Sequence, residues 1–135
     1  HNGRRRQRQM CIRDRIKNNI NAKEEMLIKI EEILKDGSTC IVQYNPGSLN
    51  DKIAKDGKIG FRIPNHDYLK SVLTKYQKPI TTTSINKTGS VPLYVPDEIE
   101  DKFGDKIDLL IDDGIIENNP SKIFMFEKDK VKQIR

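Results

Sequence analysis

The chain has 135 residues, enough for one domain with a core and too few to expect two. Its hydrophobic content of 35% is low, yet the apolar residues fall into periodic runs, which excludes a disordered chain. The formal charge is +5, but residues 1–15 hold six Arg against one Asp, so the remaining 120 positions balance and argue against strong nucleic-acid binding by the body.

Cys11 and Cys40 form neither a metal-ligand spacing nor a disulfide framework, which points to a reducing, cytoplasmic setting. No apolar run reaches the length of a membrane span. The Arg-rich head has no apolar segment behind it, so a conventional signal peptide is not expected.

In chain order, residues 1–15 (HNGRRRQRQMCIRDR) show neither a helical nor a strand period. Two readings stand: a disordered basic arm, or sequence that is not native. Met10-Cys11-Ile12-Arg13-Asp14 resembles a translated transposon-end sequencing adapter. The domain is then residues 16–135.

Asn21–Leu34 reads as a helix, capped by Asn21 with Glu24 three residues on. Met26, Leu27, Ile30, Ile33 and Leu34 recur at helical spacing, and Asp36-Gly37 ends the run. Thr39–Tyr44 is an apolar strand, with Cys40 expected as a small buried hydrophobe, and Asn45-Pro46-Gly47-Ser48 is a turn. Lys58–Ile63 alternates as a strand with Ile59, Phe61 and Ile63 on one face and Arg62 on the other. Asn65 is expected to cap a helix whose buried stripe is Leu69, Val72, Leu73 and Tyr76.

Pro79–Thr83 is expected as a strand carrying a polar cluster, Thr81 to Gly89, at its carboxyl end. Such a cluster is an ordinary turn or a polar ligand site, the latter at the place where open α/β sheets hold ligands. Pro96–Phe103 reads as a short helix, with Pro in the first turn and acids near its positive end. Lys106–Ile111 is a strand candidate followed by the turn Asp112-Asp113-Gly114, and Ser121–Phe126 is the last strand before a polar tail. Strands alternating with helices make the fold class α/β.

Arg62 is either a solvated strand residue or a bidentate clamp for phosphate or carboxylate. His66 is either an acid or base near neutral pH or a surface residue at a helix start. Asp112 and Asp113 fit a turn better than a metal pair, and no metal-site spacing or Gly-rich phosphate loop occurs in the sequence.

The order of four segments carries a resemblance: Gly57-Lys58-Ile59-Gly60-Phe61-Arg62-Ile63-Pro64-Asn65-His66, Lys78 to Gly89 (KPITTTSINKTG), Ile107 to Gly114 (IDLLIDDG) and Pro120-Ser121-Lys122-Ile123. Together they resemble the carboxyl-terminal half of the YrdC/Sua5/TsaC family. The resemblance implies an open, twisted, mixed sheet with packed helices, truncated at its amino-terminal side. It also implies an L-threonylcarbamoyladenylate synthase, a nucleotidyltransferase that joins L-threonine, bicarbonate and ATP and releases pyrophosphate. The product serves formation of N6-threonylcarbamoyladenosine in tRNA. Mg²⁺ is implied by analogy with ATP chemistry, and tRNA-modification proteins or double-stranded RNA as partners, with no membrane.

By the same resemblance, Arg62 and Ser84 are the catalytic candidates. Arg62, Ser84, Asn86, Ser121 and Arg135 are the nucleotide-binding candidates, with no metal ligands. The sequence departs from the family pattern at Cys40, where Thr is expected (Thr39 stands beside it), at Ile85 in place of Ala, and at Lys122 in place of Thr. The family's amino-terminal segments have no match, so this polypeptide is expected to be catalytically impaired. The alternative is a non-catalytic YrdC-like domain that binds nucleotide or double-stranded RNA. The blandest reading is a fragment with no ligand.

Overall fold

A computed structural model of the chain describes residues 16–135. The readings made for residues 1–15, Cys11 included, lie outside the described residues. Two compact units form: residues 16–79 with 121–135, and residues 80–120.

The first unit is built on the Met26-to-Leu34 stripe. Helix α1, Glu24–Lys35, buries Leu27, Ile30 and Leu34, with Met26 and Ile33 half-buried beside them. Its amino-terminal cap is Lys23, which contributes no side-chain hydrogen bond. The expected Asn21 cap is therefore corrected; the Asn21 N–H instead donates to the Gln43 carbonyl at 3.0 Å, which draws Asn21 toward the sheet and leaves the helix to start later. Gly37, at φ +77°, turns the chain out of the helix, where a side chain would be strained.

Strands β1 (Thr39–Gln43), β2 (Lys58–Phe61), β3 (Ile123–Glu127) and β4 (Lys130–Gln133) form one sheet in the order β2-β1-β3-β4. β1 runs antiparallel to β2 and parallel to β3, and β3 runs antiparallel to β4, so the sheet is mixed. Alternation along β1 aims Cys40 and Val42 at α1. They join Ile20, Leu27, Ile30, Leu34, Tyr44, Ile59 and Phe126 in one core. Tyr44 keeps its phenol satisfied there: its O–H donates to the Leu49 carbonyl at 2.8 Å and accepts the Leu49 N–H at 2.9 Å. Burial in this core pushes the Cys40 thiol up to about 12, so it is the small inert hydrophobe expected.

Helix α2, Asp67–Tyr76, starts two residues later than its expected cap. His66, not Asn65, is the cap, its Nδ1 accepting the Leu69 N–H at 3.4 Å. The stripe expected to be buried is not: Leu69 is 44% and Tyr76 55% exposed, and Val72 and Leu73 are only half-buried. A helical stripe is buried only when another element lies against it. β4 was hidden in the polar tail. Its four side chains are all exposed, and backbone pairing to β3 through a Lys128-Asp129 turn, with Lys128 at φ +53°, holds it.

In the second unit, helix α3 spans Pro96–Phe103 as expected, with Pro first, Asp97 and Glu98 in the opening turn and Ile99 buried. The strands expected at Pro79–Thr83 and Lys106–Ile111 are corrected: both stretches lack strand structure. A strand exists through its ladder, and among the described residues neither stretch has a ladder partner; Pro79 also lacks the N–H to make one.

Candidate functional site

Two groupings of candidate residues are formed, one in each unit. In the first unit, the parallel pairing of β1 with β3 brings the start of one strand beside the approach to the other, Thr39 opposite Ile123. The Thr39 N–H donates to the Lys122 carbonyl at 2.7 Å, fixing the register one residue past Ser121. The Thr39 and Ser121 hydroxyls share a half-buried hydrogen bond of 2.8 Å. The antiparallel return of β4 then delivers Arg135 to the same place. Its backbone carbonyl accepts the Ile123 N–H at 2.9 Å. Its side-chain Nε donates to the Ser121 carbonyl at 2.9 Å, and Nη2 reaches the Ser121 Oγ at 3.5 Å.

One guanidinium and two hydroxyls thus lie side by side at the amino-terminal ends of two parallel strands. A guanidinium carries five N–H donors in a flat fork, and two of them are directed at Ser121. That chemistry suits an anion with several acceptor oxygens, a phosphate above all. Ser121 and Arg135 are candidates that the family resemblance implied; Thr39 was noted only as the neighbour of Cys40, because its partnership with Ser121 spans 82 positions.

In the second unit, Ser84 donates from Oγ to Asn86 Oδ1, and Asn86 Nδ2 donates to the carbonyls of Lys87 at 2.9 Å and Ser90 at 3.1 Å. Asn86 therefore holds the Lys87–Ser90 turn together and orients Ser84, while Ser84 itself is exposed. Beside the turn is a cleft of about 240 Å³ lined by Asn86, Lys87, Ser90, Val91, Leu93 and the α3 residues Lys102 and Phe103. Lys87 belongs to the polar cluster read from the sequence, whereas Lys102 was not singled out as a site residue.

Arg62 follows β2 directly, exposed, in the first unit, whereas Ser84 and Asn86 belong to the second. His66 serves α2 as its cap. Asp112 serves its turn, Oδ1 accepting the Gly114 N–H at 2.8 Å. Among the described residues, no group of three or more His, Cys, Asp or Glu is placed to hold a metal ion. Among them, too, no helix is long and apolar enough to cross a membrane.

Two titrating groups are displaced by their neighbours. The Glu127 carboxyl is held below its ordinary range by a 2.8 Å hydrogen bond and ion pair with Lys58, which reaches across the intervening strand β1. The Tyr94 phenol is pushed up, chiefly by its hydrogen bond to Glu117.

Comparison with known proteins gives the setting for these groupings. A family model described as "Telomere recombination", covering Sua5, YciO and YrdC proteins, matches residues 10–135. A Methanocaldococcus jannaschii protein named "Putative threonylcarbamoyl-AMP synthase" is 34% identical over 129 residues, covering 93% of this chain and 60% of that protein. A threonylcarbamoyl-AMP synthase of Photorhabdus laumondii is 35% identical over 65 residues, 48% of this chain and 34% of its own length. The crystal structure of E. coli YciO superimposes with a TM-score of 0.74 at 19% identity, covering 90% of this chain and 60% of that one, a likeness of fold. The chain thus spans 60% of the archaeal relative's length and about a third of the Photorhabdus protein's.

Proposed function

This chain belongs to the Sua5/YciO/YrdC family, and from that premise we propose that it is a nucleotide-binding YrdC-like domain with no synthase turnover of its own. The observation that carries the reading is the Thr39–Ser121–Arg135 grouping, whose donors match a nucleotide phosphate. Arg62, Ser84 and Asn86 are further candidates for the rest of the nucleotide. Mg²⁺ would then arrive on the phosphates of ATP, where it characteristically keeps several waters and few protein ligands. Double-stranded RNA fits less well: residues 80–120 hold nine Asp and Glu against three Lys, a net −6 that repels a phosphate backbone. Holding an anion asks only for placed donors. Condensing threonine, bicarbonate and ATP asks for all three to be oriented and their charge compensated together.

The test is calorimetric titration with ATP and with AMP. Saturable binding weakened at least tenfold by Arg135→Ala and by Ser121→Ala is expected, and binding indifferent to both substitutions refutes the reading. A second reading is favoured by the names of the relatives: a threonylcarbamoyl-AMP synthase, acting in the cytoplasm with tRNA-modification proteins as partners. Pyrophosphate release that requires both threonine and bicarbonate would establish it in place of the binding-only reading.

A further inference from the structure

Charge in residues 80–120 is unevenly placed. This unit holds nine Asp and Glu against three Lys, yet two of those lysines, Lys87 and Lys102, line its cleft and no carboxylate does. Among the described residues neither ammonium has an ion-pair partner. Glu98 stands one helical turn before Lys102 on α3, the spacing at which Glu–Lys pairs form, and still no ion pair joins them. Two uncompensated ammonium groups on one cleft repel each other and draw in an anion. The wall beside them is apolar, built from the half-buried Leu93 and Phe103. Ser90 adds a hydroxyl that has no hydrogen-bond partner among the described residues. Asn86, by contrast, spends its amide on Ser84 and on the Lys87–Ser90 turn.

We propose that this cleft binds a small carboxylate carried on an apolar body and bearing no ammonium group. The carboxylate lies against Lys87 and Lys102, with the Ser90 hydroxyl as a further donor, and the body covers Leu93 and Phe103. Three features of the cleft select this class over other anions. Its volume of about 240 Å³ is below the roughly 300–1,000 Å³ of sites that enclose drug-sized ligands, so a nucleotide is too large for it. Inorganic phosphate would satisfy the lysines and leave Leu93 and Phe103 in water. A zwitterionic amino acid would set its own ammonium against two others. The site goes beyond the nucleotide reading, since neither lysine is among the nucleotide-binding candidates, and either reading can fail without the other.

The experiment titrates phenylacetate into the 135-residue chain and follows the backbone amides by NMR. L-phenylalanine, which adds an ammonium to the same body, and inorganic phosphate, which lacks the body, are titrated in parallel. The expected result is saturable shifts at residues 87–93 and 102–104 with phenylacetate, and binding at least tenfold weaker for the other two. Lys87 and Lys102 are exposed, so Lys87→Gln and Lys102→Gln keep the fold, and each is expected to weaken phenylacetate at least fivefold. Lys106→Gln, at the third lysine of the unit and outside the cleft, is expected to change nothing. Saturating ATP is expected to leave phenylacetate bound. The absence of saturable shifts overturns the proposal, as does binding indifferent to both cleft substitutions. Equal binding of phosphate or L-phenylalanine overturns it too, by reducing the cleft to general attraction of anions. Displacement by ATP overturns it by assigning the cleft to the nucleotide.

Discussion

Replacing Thr39 by Val removes one hydroxyl from a half-buried pair and keeps the side chain's shape. The bond lost, Thr39 Oγ1 to Ser121 Oγ at 2.8 Å, ties the start of β1 to the segment entering β3. A hydrogen bond of this kind contributes about 0.5–1.5 kcal/mol net. Ser121 is not stranded by the change, because Arg135 Nη2 stands 3.5 Å from its oxygen, so the full penalty of an orphaned polar atom does not apply. Valine also favours a strand by a few tenths of a kcal/mol. The expected cost of Thr39→Val is therefore about 0.5–1 kcal/mol, and of Ser121→Ala about 1 kcal/mol. The informative quantity is their coupling. If the hydroxyls bond as placed, the double variant loses less than the two single costs together, by about 0.5–1 kcal/mol. Urea unfolding followed by circular dichroism at constant slope measures all three variants. Strict additivity, to within ~0.3 kcal/mol, would show that these hydroxyls do not meet, and the phosphate site proposed on them would fall with it.

Ile30, fully buried between α1 and the sheet, is expected to cost about 2–5 kcal/mol on substitution by Ala, whereas Ile28, 49% exposed on the same helix, costs under ~0.5 kcal/mol; thermal melting compares them. The Cys40 thiol, raised to about 12, contributes stability that is complete below the unfolded thiol's value of 9.0 and is lost as pH climbs from there through 12; thiol-reagent labelling at pH 8 should occur only on unfolding. Glu127 has a lowered carboxyl, so its small contribution is present above the ordinary carboxylate range and is lost as pH falls through the folded value. Lys58→Ala should return that titration toward the ordinary range, as read by NMR of the Glu127 carboxyl.

Local pattern was enough for several elements. The period of Met26 to Leu34 gave α1 and its buried face, the strands expected at Thr39–Tyr44 and Lys58–Ile63 form over Thr39–Gln43 and Lys58–Phe61, and Pro96 with its following acids placed α3. The same pattern misled wherever a partner was missing. Leu69 and Tyr76 have helical spacing yet are 44% and 55% exposed, and Ile107 to Ile111 has strand spacing but, among the described residues, no ladder. β4 failed in the opposite direction: its side chains carry no apolar signal, since its stability comes from the backbone of β3.

The candidate site divides in the same way. The family resemblance, and no local pattern, marked Ser121 and Arg135 as candidates. Their meeting with Thr39 is a consequence of the β2-β1-β3-β4 order, which places residues 82 positions apart within one hydrogen bond. Sequence by itself determined which stretches want to be helix or strand, since those preferences act over a few residues. Tertiary structure alone decided which apolar faces are buried and which hydroxyl meets Thr39 and Arg135, because pairing and burial are properties of neighbours that the linear chain does not specify.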